Sequence, residues 1–301
     1  MKALDHSRRR FGEQERFMLL LIAPAALLMA LFQVVPIAIG ANASFRDWAL
    51  NNPKKTWVGL SHYTDVITDP AFLQVVLPNT FLFMALSVGG ALVIGLCLAL
   101  VFNRGFRGQK LVQTMLLLPL MVAPVIAAIM MRWMFNDQFG IVNVVLEAVG
   151  IEGEPWMAQR WSAFGVILLT DIWLWTPWFM LLLLAGLQSL PKEPFEAAAI
   201  DGTTPWRVFR YLTLPMLRPV IVVCVVIRSI DAFRTFDIVW TLTGGGPGRS
   251  TELFSLYAYV YAFLNLDFGK GSAAAMIGAA IILVVGLGLF RALDRLVEVS
   301  R

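Results

Sequence analysis

Glu196-Ala197-Ala198-Ala199-Ile200-Asp201-Gly202 is the stretch around which the rest of this 301-residue chain is organised. It continues through Trp206 to Leu214-Pro215 and is polar enough to lie in water, yet strongly hydrophobic segments flank it on both sides. Consecutive alanines favour a helix, and Gly202 can take the left-handed conformation that ends one. The stretch therefore predicts helical structure in a water-exposed loop between membrane segments.

Two capping residues suggest where the helices of this loop begin. Ser189 is positioned to cap the first helix, and Thr204 to cap a second helix that has Pro205 at its first position. Because the residue before a proline avoids the helical region, we expect the second helix to end before Pro215.

The same residues resemble the cytoplasmic "EAA" loop of ABC-importer permeases. The family pattern is Glu-Ala-Ala, three residues, Gly, nine residues and then Ile-x-Leu-Pro; here Leu212 stands where isoleucine is usual. The resemblance implies a coupling helix seated in a groove of a separate ATP-hydrolysing subunit. We expect Glu196 to hold the loop through a charged hydrogen bond. The alternative is an ordinary amphipathic loop helix. The residues that we expect to couple to the ATPase are Phe195, Glu196, Ala197, Ala198, Asp201 and Gly202.

The composition describes a chain that lies mostly in lipid. Hydrophobic residues make up 58% and charged residues 15%, and the mean hydropathy is +0.73. A net charge of +4 without a basic patch outside the loops gives no indication of nucleic-acid binding. The two cysteines, Cys97 and Cys224, both fall in apolar segments, which favours packing over a disulfide.

Apolar runs predict an all-α polytopic membrane protein with six transmembrane helices. A basic tail, 1–16, precedes the first run, no cleavable signal peptide is evident, the coupling loop is 188–217, and a second tail, 291–301, closes the chain. The predicted spans are 17–40, 78–102, 111–133, 163–187, 218–240 and 271–290.

The distribution of lysine and arginine predicts the orientation of these spans. Six spans place both termini and the loop 188–217 on one side, which carries 15 of these residues against 6 on the other. The positive-inside rule therefore puts both termini and the coupling loop in the cytoplasm.

The sequence contains no motif for chemistry of its own. It has no Gly-x-x-x-x-Gly-Lys-Ser/Thr phosphate loop, and its two histidines, His6 and His62, are far apart. We therefore expect a transporter subunit and not an enzyme, with no cofactor or metal on this chain and with ATP and Mg bound by a partner.

Four charges of alternating sign lie three residues apart in the fifth segment: Arg228, Asp231, Arg234 and Asp237. A charge at membrane depth costs roughly 2.5–3.5 kcal/mol, so such residues are retained for a reason. One pair can form within the helix while another residue faces a pathway, and Asp231 and Arg234 fall near the predicted middle. The alternatives are ion pairs that only hold the helix in place, or a proton relay.

The fourth span carries Asp171, Trp173, Trp175 and Trp178 close to its predicted middle. Tryptophan normally lies at the membrane interfaces. Aromatic rings beside a carboxylate suit a sugar, whose apolar face stacks and whose hydroxyls need acceptors. The alternative is aromatic packing between helices with Asp171 bonded to the backbone. The predicted substrate pathway therefore comprises Asp171, Trp173, Trp175, Trp178, Asp231, Arg234 and Asp237.

Further stretches resemble the carbohydrate-uptake permeases of the maltose and glycerol-phosphate type, and they extend the likeness over nearly the whole chain. This chain departs from the maltose-type member in having only about thirty residues between its third and fourth spans. The resemblance implies a type I ABC-importer permease fold and a heterodimer with a second permease, together with two ATPase subunits and an external solute-binding protein. The stretches are 233–237, 241–248, 250–252 and 268–275.

The leading hypothesis is therefore a multi-pass subunit of the cell's inner or plasma membrane that forms half of an ATP-driven import pathway for a sugar or sugar-derived solute. The main alternative is an ion-coupled secondary transporter that uses the charged fifth helix. A membrane scaffold that transports nothing would leave the charges at membrane depth without a purpose.

Overall fold

A computed structural model describes residues 3–50 and 52–298, and these are mostly helical. Within this part of the chain the single sheet is a two-stranded antiparallel hairpin. The predicted all-α fold class is confirmed, with this hairpin as its one β element. The outermost residues of the two predicted tails, 1–2 and 299–301, lie outside the described residues.

The elements follow one another in a simple order, with short π-helical or 3₁₀ turns inside several helices. The helices and strands are α1 (Ala3–Met29), α2 (Val35–Ser44), β1 (Arg46–Ala49), β2 (Asn52–Trp57), α3 (Ser61–Ile67), α4 (Leu77–Asn103), α5 (Gln109–Leu117), α6 (Pro124–Met134), α7 (Ile141–Ala148), α8 (Arg160–Gln188), α9 (Glu193–Ile200), α10 (Pro205–Val208), α11 (Leu214–Phe233), α12 (Asp237–Leu242), α13 (Phe254–Tyr259) and α14 (Phe268–Glu298).

Five continuous helical segments of the described chain are long and apolar enough to cross a membrane. Each has at least 21 residues, which suits a hydrocarbon core about 30 Å thick. A bent pair of helices brings the number to six. The five segments are Arg16–Ser44, Phe72–Asn103, Arg160–Gln188, Pro205–Phe233 and Phe268–Gly288.

The bent pair takes the place of the predicted third span, 111–133. Gln109–Met121 and Pro124–Met134 meet at an angle of 99°. Ala123, which precedes Pro124, has an extended backbone (ψ 138°) because the proline ring disfavours the helical region there. The chain therefore turns sharply between two helices at Ala123-Pro124, where a single continuous span was predicted.

The fifth span differs from the predicted 218–240 at both ends. It begins at Pro205 and runs without interruption to Phe233, so the expectation that a helix ends before Pro215 is wrong. A wider π-type turn, in which the Leu214 N–H bonds to the Phe209 carbonyl, precedes this proline and accommodates its missing N–H. After Phe233 the chain leaves the helix and starts again at Asp237.

The spans pack around a core formed mainly by α4 and α8. Close approach depends on glycine: a Cβ added at Gly95 of α4 would lie 2.5 Å from the Phe179 Cβ. Likewise, a Cβ added at Gly186 of α8 would lie 2.8 Å from Cδ1 of the fully buried Leu217 on α11. The described side chains of the first span, by contrast, are exposed up to about residue 39.

The ends of the spans form two groups. At one end, Leu100 of α4 and Leu187 of α8 line a common cavity with the segment 188–217. At the other, called here the distal end, the hairpin meets the start of α14, where Ala49 bridges to Asp267. The Asn79 side chain also joins α4 to the loop before α13 there, through the Ser250 carbonyl (2.8 Å). Asn79 and Leu100 are 21 residues apart on α4, about 32 Å at 1.5 Å per residue, so the two groups are separated by about one membrane thickness.

Candidate functional site

The predicted coupling loop folds as a short helix, α9, followed by a tight turn into the fifth span. The Thr203 N–H bonds to the Ala198 carbonyl and the Gly202 N–H to the Ala199 carbonyl, which closes the end of α9. Gly202 has φ +63°, the left-handed conformation expected for it, and a side chain there would strain the backbone.

The two faces of α9 differ in exposure. Ala198 is buried and Phe195 is half-buried, three residues apart on the inner face. Glu196, Ala197, Asp201 and Gly202 are exposed. Large apolar side chains that the sequence reasoning missed are also exposed here: Ile200 is 87% and Trp206 66% accessible.

The local hydrogen bonds differ from those predicted. Ser189 does not cap α9, since its hydroxyl donates to the Gly186 carbonyl and the residue before α9 is Lys192. Thr204 does precede the next helix, but its side chain forms no capping bond. Within the described residues the Glu196 carboxylate accepts no hydrogen bond either. Its predicted charged hydrogen bond is therefore not made inside the described part of the chain.

A cavity of about 650 Å³ separates α9 from the membrane helices. Phe195, Glu196 and Ala199 line one wall, and Asn103 and Leu187 at the ends of α4 and α8 line the other. The inner face of α9 is therefore not packed continuously against the membrane helices. A partner protein can therefore bind α9 without displacing a packed interface within this chain.

A second group of predicted site residues, called here the charged cluster, joins α8 to the last part of α11. Arg228 donates to the Asp171 carboxylate (Nη2–Oδ2 2.5 Å) and to the Asp231 carboxylate (Nη1–Oδ2 2.8 Å). Arg228 and Asp171 are each 1% exposed, whereas Asp231 is 40% and Arg234 67% exposed. Ser87 of α4 also donates to Asp171. The cluster therefore runs from a buried ion pair to exposed charges.

Tryptophan covers one side of this cluster. The Trp175 ring centroid lies 4.4 Å from the Arg228 guanidinium carbon, a cation–π contact. Trp178 meets Trp175 edge to face, with centroids 6.4 Å apart. A cavity of about 300 Å³ is lined by both rings together with Asp231 and Arg234.

A smaller cavity of about 150 Å³ lies beside it. Asp171, Trp175, Asp231, Arg234 and Asp237 all line this cavity, so the structure brings five of the predicted pathway residues to one place. We call it the charged cavity.

Three positional predictions need correction. Trp173 lines neither cavity, since it lies two helical positions from Trp175 and points elsewhere. Asp231 and Arg234 are not near the middle of the fifth helix: Asp231 lies in its last turn, and Arg234 follows its end at Phe233. The helix ends earlier than predicted because the polar stretch after Phe233 leaves the apolar span.

The sequence reasoning also missed two partners. Asp171 is bonded to the side chains of Ser87 and Arg228, and not to the backbone as the packing alternative supposed. Arg228 is the centre of the cluster, although it was not among the predicted pathway residues. The sequence does contain a signal for this pair. A single carboxylate in one span and an arginine in the next are expected to pair, because burying either charge alone is unfavourable.

At the distal end, another set of hydrogen bonds surrounds Asp69. Its carboxylate accepts from the Tyr257 hydroxyl (2.8 Å), the Ala71 N–H (2.9 Å) and the Tyr261 hydroxyl (3.2 Å). Burial opposes ionisation, but these bonds and the nearby Lys270 outweigh it and hold the pKa of the carboxyl below its usual value. Asp69 therefore ties the start of the second span to α13.

Residues 91–299 match the protein family described as "Binding-protein-dependent transport system inner membrane component". The chain is 39% identical over 267 residues to the sulfoquinovosyl glycerol transport system permease protein SmoG of Agrobacterium fabrum, over 88% of this chain and 86% of the relative. It is 36% identical, over 88% and 89% of the two chains, to the trehalose/maltose transport system permease protein MalF of Thermococcus litoralis.

Solved structures show the same fold. A chain of a bacterial alginate ABC transporter, in complex with its alginate pentasaccharide-bound periplasmic protein, matches with a TM-score of 0.85. The match covers 96% of this chain and 98% of that chain at 22% sequence identity. The predicted permease fold is therefore confirmed, and the ion-coupled alternative finds no support in these relatives.

Proposed function

Since this chain belongs to the family of inner membrane components of binding-protein-dependent transport systems, we propose that it forms half of an ATP-driven import pathway for a sugar or sugar-derived solute. It is a permease subunit of the inner membrane and not an enzyme. Two of its relatives are permeases for sulfoquinovosyl glycerol and for trehalose/maltose, which supports the choice of a sugar.

The observation that carries the proposal is the position of α9. The helix has an exposed outer face, and a cavity of about 650 Å³ separates it from the membrane helices. It continues through one tight turn into the fifth span, which ends beside the charged cluster. A partner that moves α9 therefore acts directly on the helix that carries Arg228 and Asp231.

We propose the partners that the resemblance to ABC-importer permeases implies. A second permease completes the pathway as a heterodimer, and two ATPase subunits bind ATP and Mg and receive the coupling helices. A solute-binding protein delivers the sugar at the distal end. The coupling segment and both termini then lie in the cytoplasm, which agrees with the excess of basic residues on that side.

Within the membrane, the solute meets the charged cavity. Asp231, Arg234 and Asp237 are accessible hydrogen-bonding groups, and Trp175 supplies an aromatic surface. Arg228 and Asp171 are already committed to each other. We therefore propose that the three accessible charged residues contact the solute, and that the Arg228–Asp171 ion pair holds α8 and α11 together.

The test compares two glutamates of the same helix. Glu196→Lys changes the predicted coupling residue, whereas Glu193→Lys makes the same charge change at an exposed position in the first turn of α9. The assay is ATP-dependent uptake of radiolabelled glucose, maltose and maltotriose by the complete transporter in proteoliposomes. We expect Glu196→Lys to abolish uptake with normal membrane insertion, and Glu193→Lys to retain it.

The outcome also discriminates between mechanisms. Equal uptake by the two variants would contradict the assignment of coupling to Glu196. Uptake by the isolated chain, driven by a proton gradient without an ATPase, would instead support the ion-coupled alternative and overturn the proposal.

A further inference from the structure

A row of four aromatic rings lies at the distal end, between α12, α13 and the start of α14. Trp240 and Phe236 are stacked, with centroids 6.1 Å apart and planes at 11°. Phe236 contacts Tyr259 at 4.8 Å, and Tyr259 stacks on Phe263 at 5.2 Å and 29°. The rings therefore form a continuous track.

The track forms part of the wall of an open cavity of about 410 Å³, called here the aromatic groove. Phe236, Tyr259, Phe263 and Phe268 supply apolar surface, and Ser255 and Ser272 supply hydroxyl groups. Phe263, 61% exposed, forms an accessible edge. Within the described chain the hydroxyls of Ser255, Ser272 and Tyr259 form no hydrogen bond, so they are free to bind a ligand.

The aromatic groove adjoins the charged cavity, because Phe236 lines both. The charged cavity alone, at about 150 Å³, lies below the roughly 300–1,000 Å³ that is usual for small-molecule sites. The aromatic groove on its own, at about 410 Å³, falls within that range. A ligand that extends past Phe236 from one cavity to the other would meet charged acceptors at one end and flat apolar rings with a few hydroxyls at the other.

We propose that the aromatic groove is an outer subsite for a second sugar ring, so that the solute is a disaccharide or longer glycoside and not a monosaccharide. The inference rests on the proposed function and deepens it. A pyranose ring has an apolar face that stacks on aromatic side chains and an edge of hydroxyls that needs hydrogen-bonding partners. The groove supplies both, whereas a lipid acyl chain would leave the three free hydroxyls without partners.

The test uses the complete transporter in proteoliposomes with radiolabelled glucose, maltose and maltotriose, and with xylose, xylobiose and xylotriose. The variants are Phe263→Ala, which removes an exposed ring of the track, and Phe263→Trp, which restores one. Phe290→Ala is the control, since Phe290 is similarly exposed (54%) and lies in α14 beyond the other end of the final span.

We expect the wild-type transporter to prefer the longer sugars of one series. Loss of one stacking surface should raise KM for those sugars by about tenfold, in line with the strength of an aromatic contact. Phe263→Trp should restore KM, and Phe290→Ala should leave it unchanged.

The other possible outcomes contradict either the outer subsite or the proposed function. Monosaccharide uptake as efficient as that of longer sugars, or identical KM values in Phe263→Ala and Phe290→Ala, would overturn the outer subsite and leave the proposed function intact. Dissociation of the permease pair in Phe263→Ala would show that the partner permease covers the groove, and the subsite would again be wrong. The absence of ATP-dependent uptake of every sugar would contradict the proposed function itself.

Discussion

Replacement of Arg228 by methionine tests whether the charged cluster holds α8 and α11 together. Arg228 and Asp171 are each 1% exposed, so the variant leaves a buried carboxylate with only the Ser87 hydroxyl as its partner. Breaking a buried ion pair from one side costs about 3–5 kcal/mol, which corresponds to a fall in Tm of roughly 6–20 °C in a large domain. We expect an apparent Tm shift of this size.

The assay is thermal denaturation of the purified complex in detergent, followed by size-exclusion chromatography. The matched control is Arg234→Met, because Arg234 is 67% exposed and its carboxylate partner is 3.7 Å away. An exposed pair contributes about 0–1 kcal/mol, so its loss should lower Tm by less than roughly 4 °C. Adding Asp171→Leu to Arg228→Met should recover stability, since an apolar pair leaves no unpaired charge.

Equal Tm shifts in the two arginine variants would refute this reasoning. Such a result would mean that water reaches Asp171 and that the Arg228–Asp171 ion pair does not stabilise the packing of α8 against α11.

Two further predictions concern aromatic residues. Trp175→Ala should raise KM for the transported sugar several-fold, whereas Trp173→Ala, whose ring lines neither cavity, should leave it unchanged; equal effects would favour simple packing of the fourth span. The lowered pKa of Asp69 adds stability that is present above its unfolded value of about 3.9 and is lost as pH falls through the folded value. Tyr257→Phe removes one hydrogen-bond donor to Asp69, so ionised Asp69 contributes less to the stability of the variant. The fall in Tm between pH 7 and pH 3 should therefore be smaller than in wild type, with Tyr259→Phe as the control. Identical acid profiles would contradict this.

The sequence predicted the membrane segments because long uncharged runs carry a strong and local signal. The ends of the helices were less predictable. Pro215 favours a helix end by local rules, but a wider turn at Phe209–Thr213 accommodates it within a continuous span. The same applies to Ser189, whose hydroxyl bonds backward to Gly186. Local propensity could not show which of two allowed conformations tertiary packing selects.

For the candidate site, sequence identified the charged and aromatic residues but not their arrangement. The burial of Arg228 beside Asp171 depends on how α8 packs against α11, which involves residues 57 positions apart. The aromatic track from Trp240 to Phe263 likewise depends on the turn after α12. Such contacts depend on tertiary structure and cannot be predicted from the spacing of residues along the chain.

The unbroken helix from Pro205 to Phe233 has a mechanical consequence. Leu217 lies against Gly186 of α8, with twelve residues from Pro205 to Leu217 on the coupling side and eleven from Leu217 to Arg228. At 1.5 Å per residue these lengths are about 18 Å and 16 Å. A rigid rod that tilts about Leu217 is thus a lever with nearly equal arms. A displacement of its Pro205 end would appear at Arg228 with almost the same amplitude and in the opposite direction.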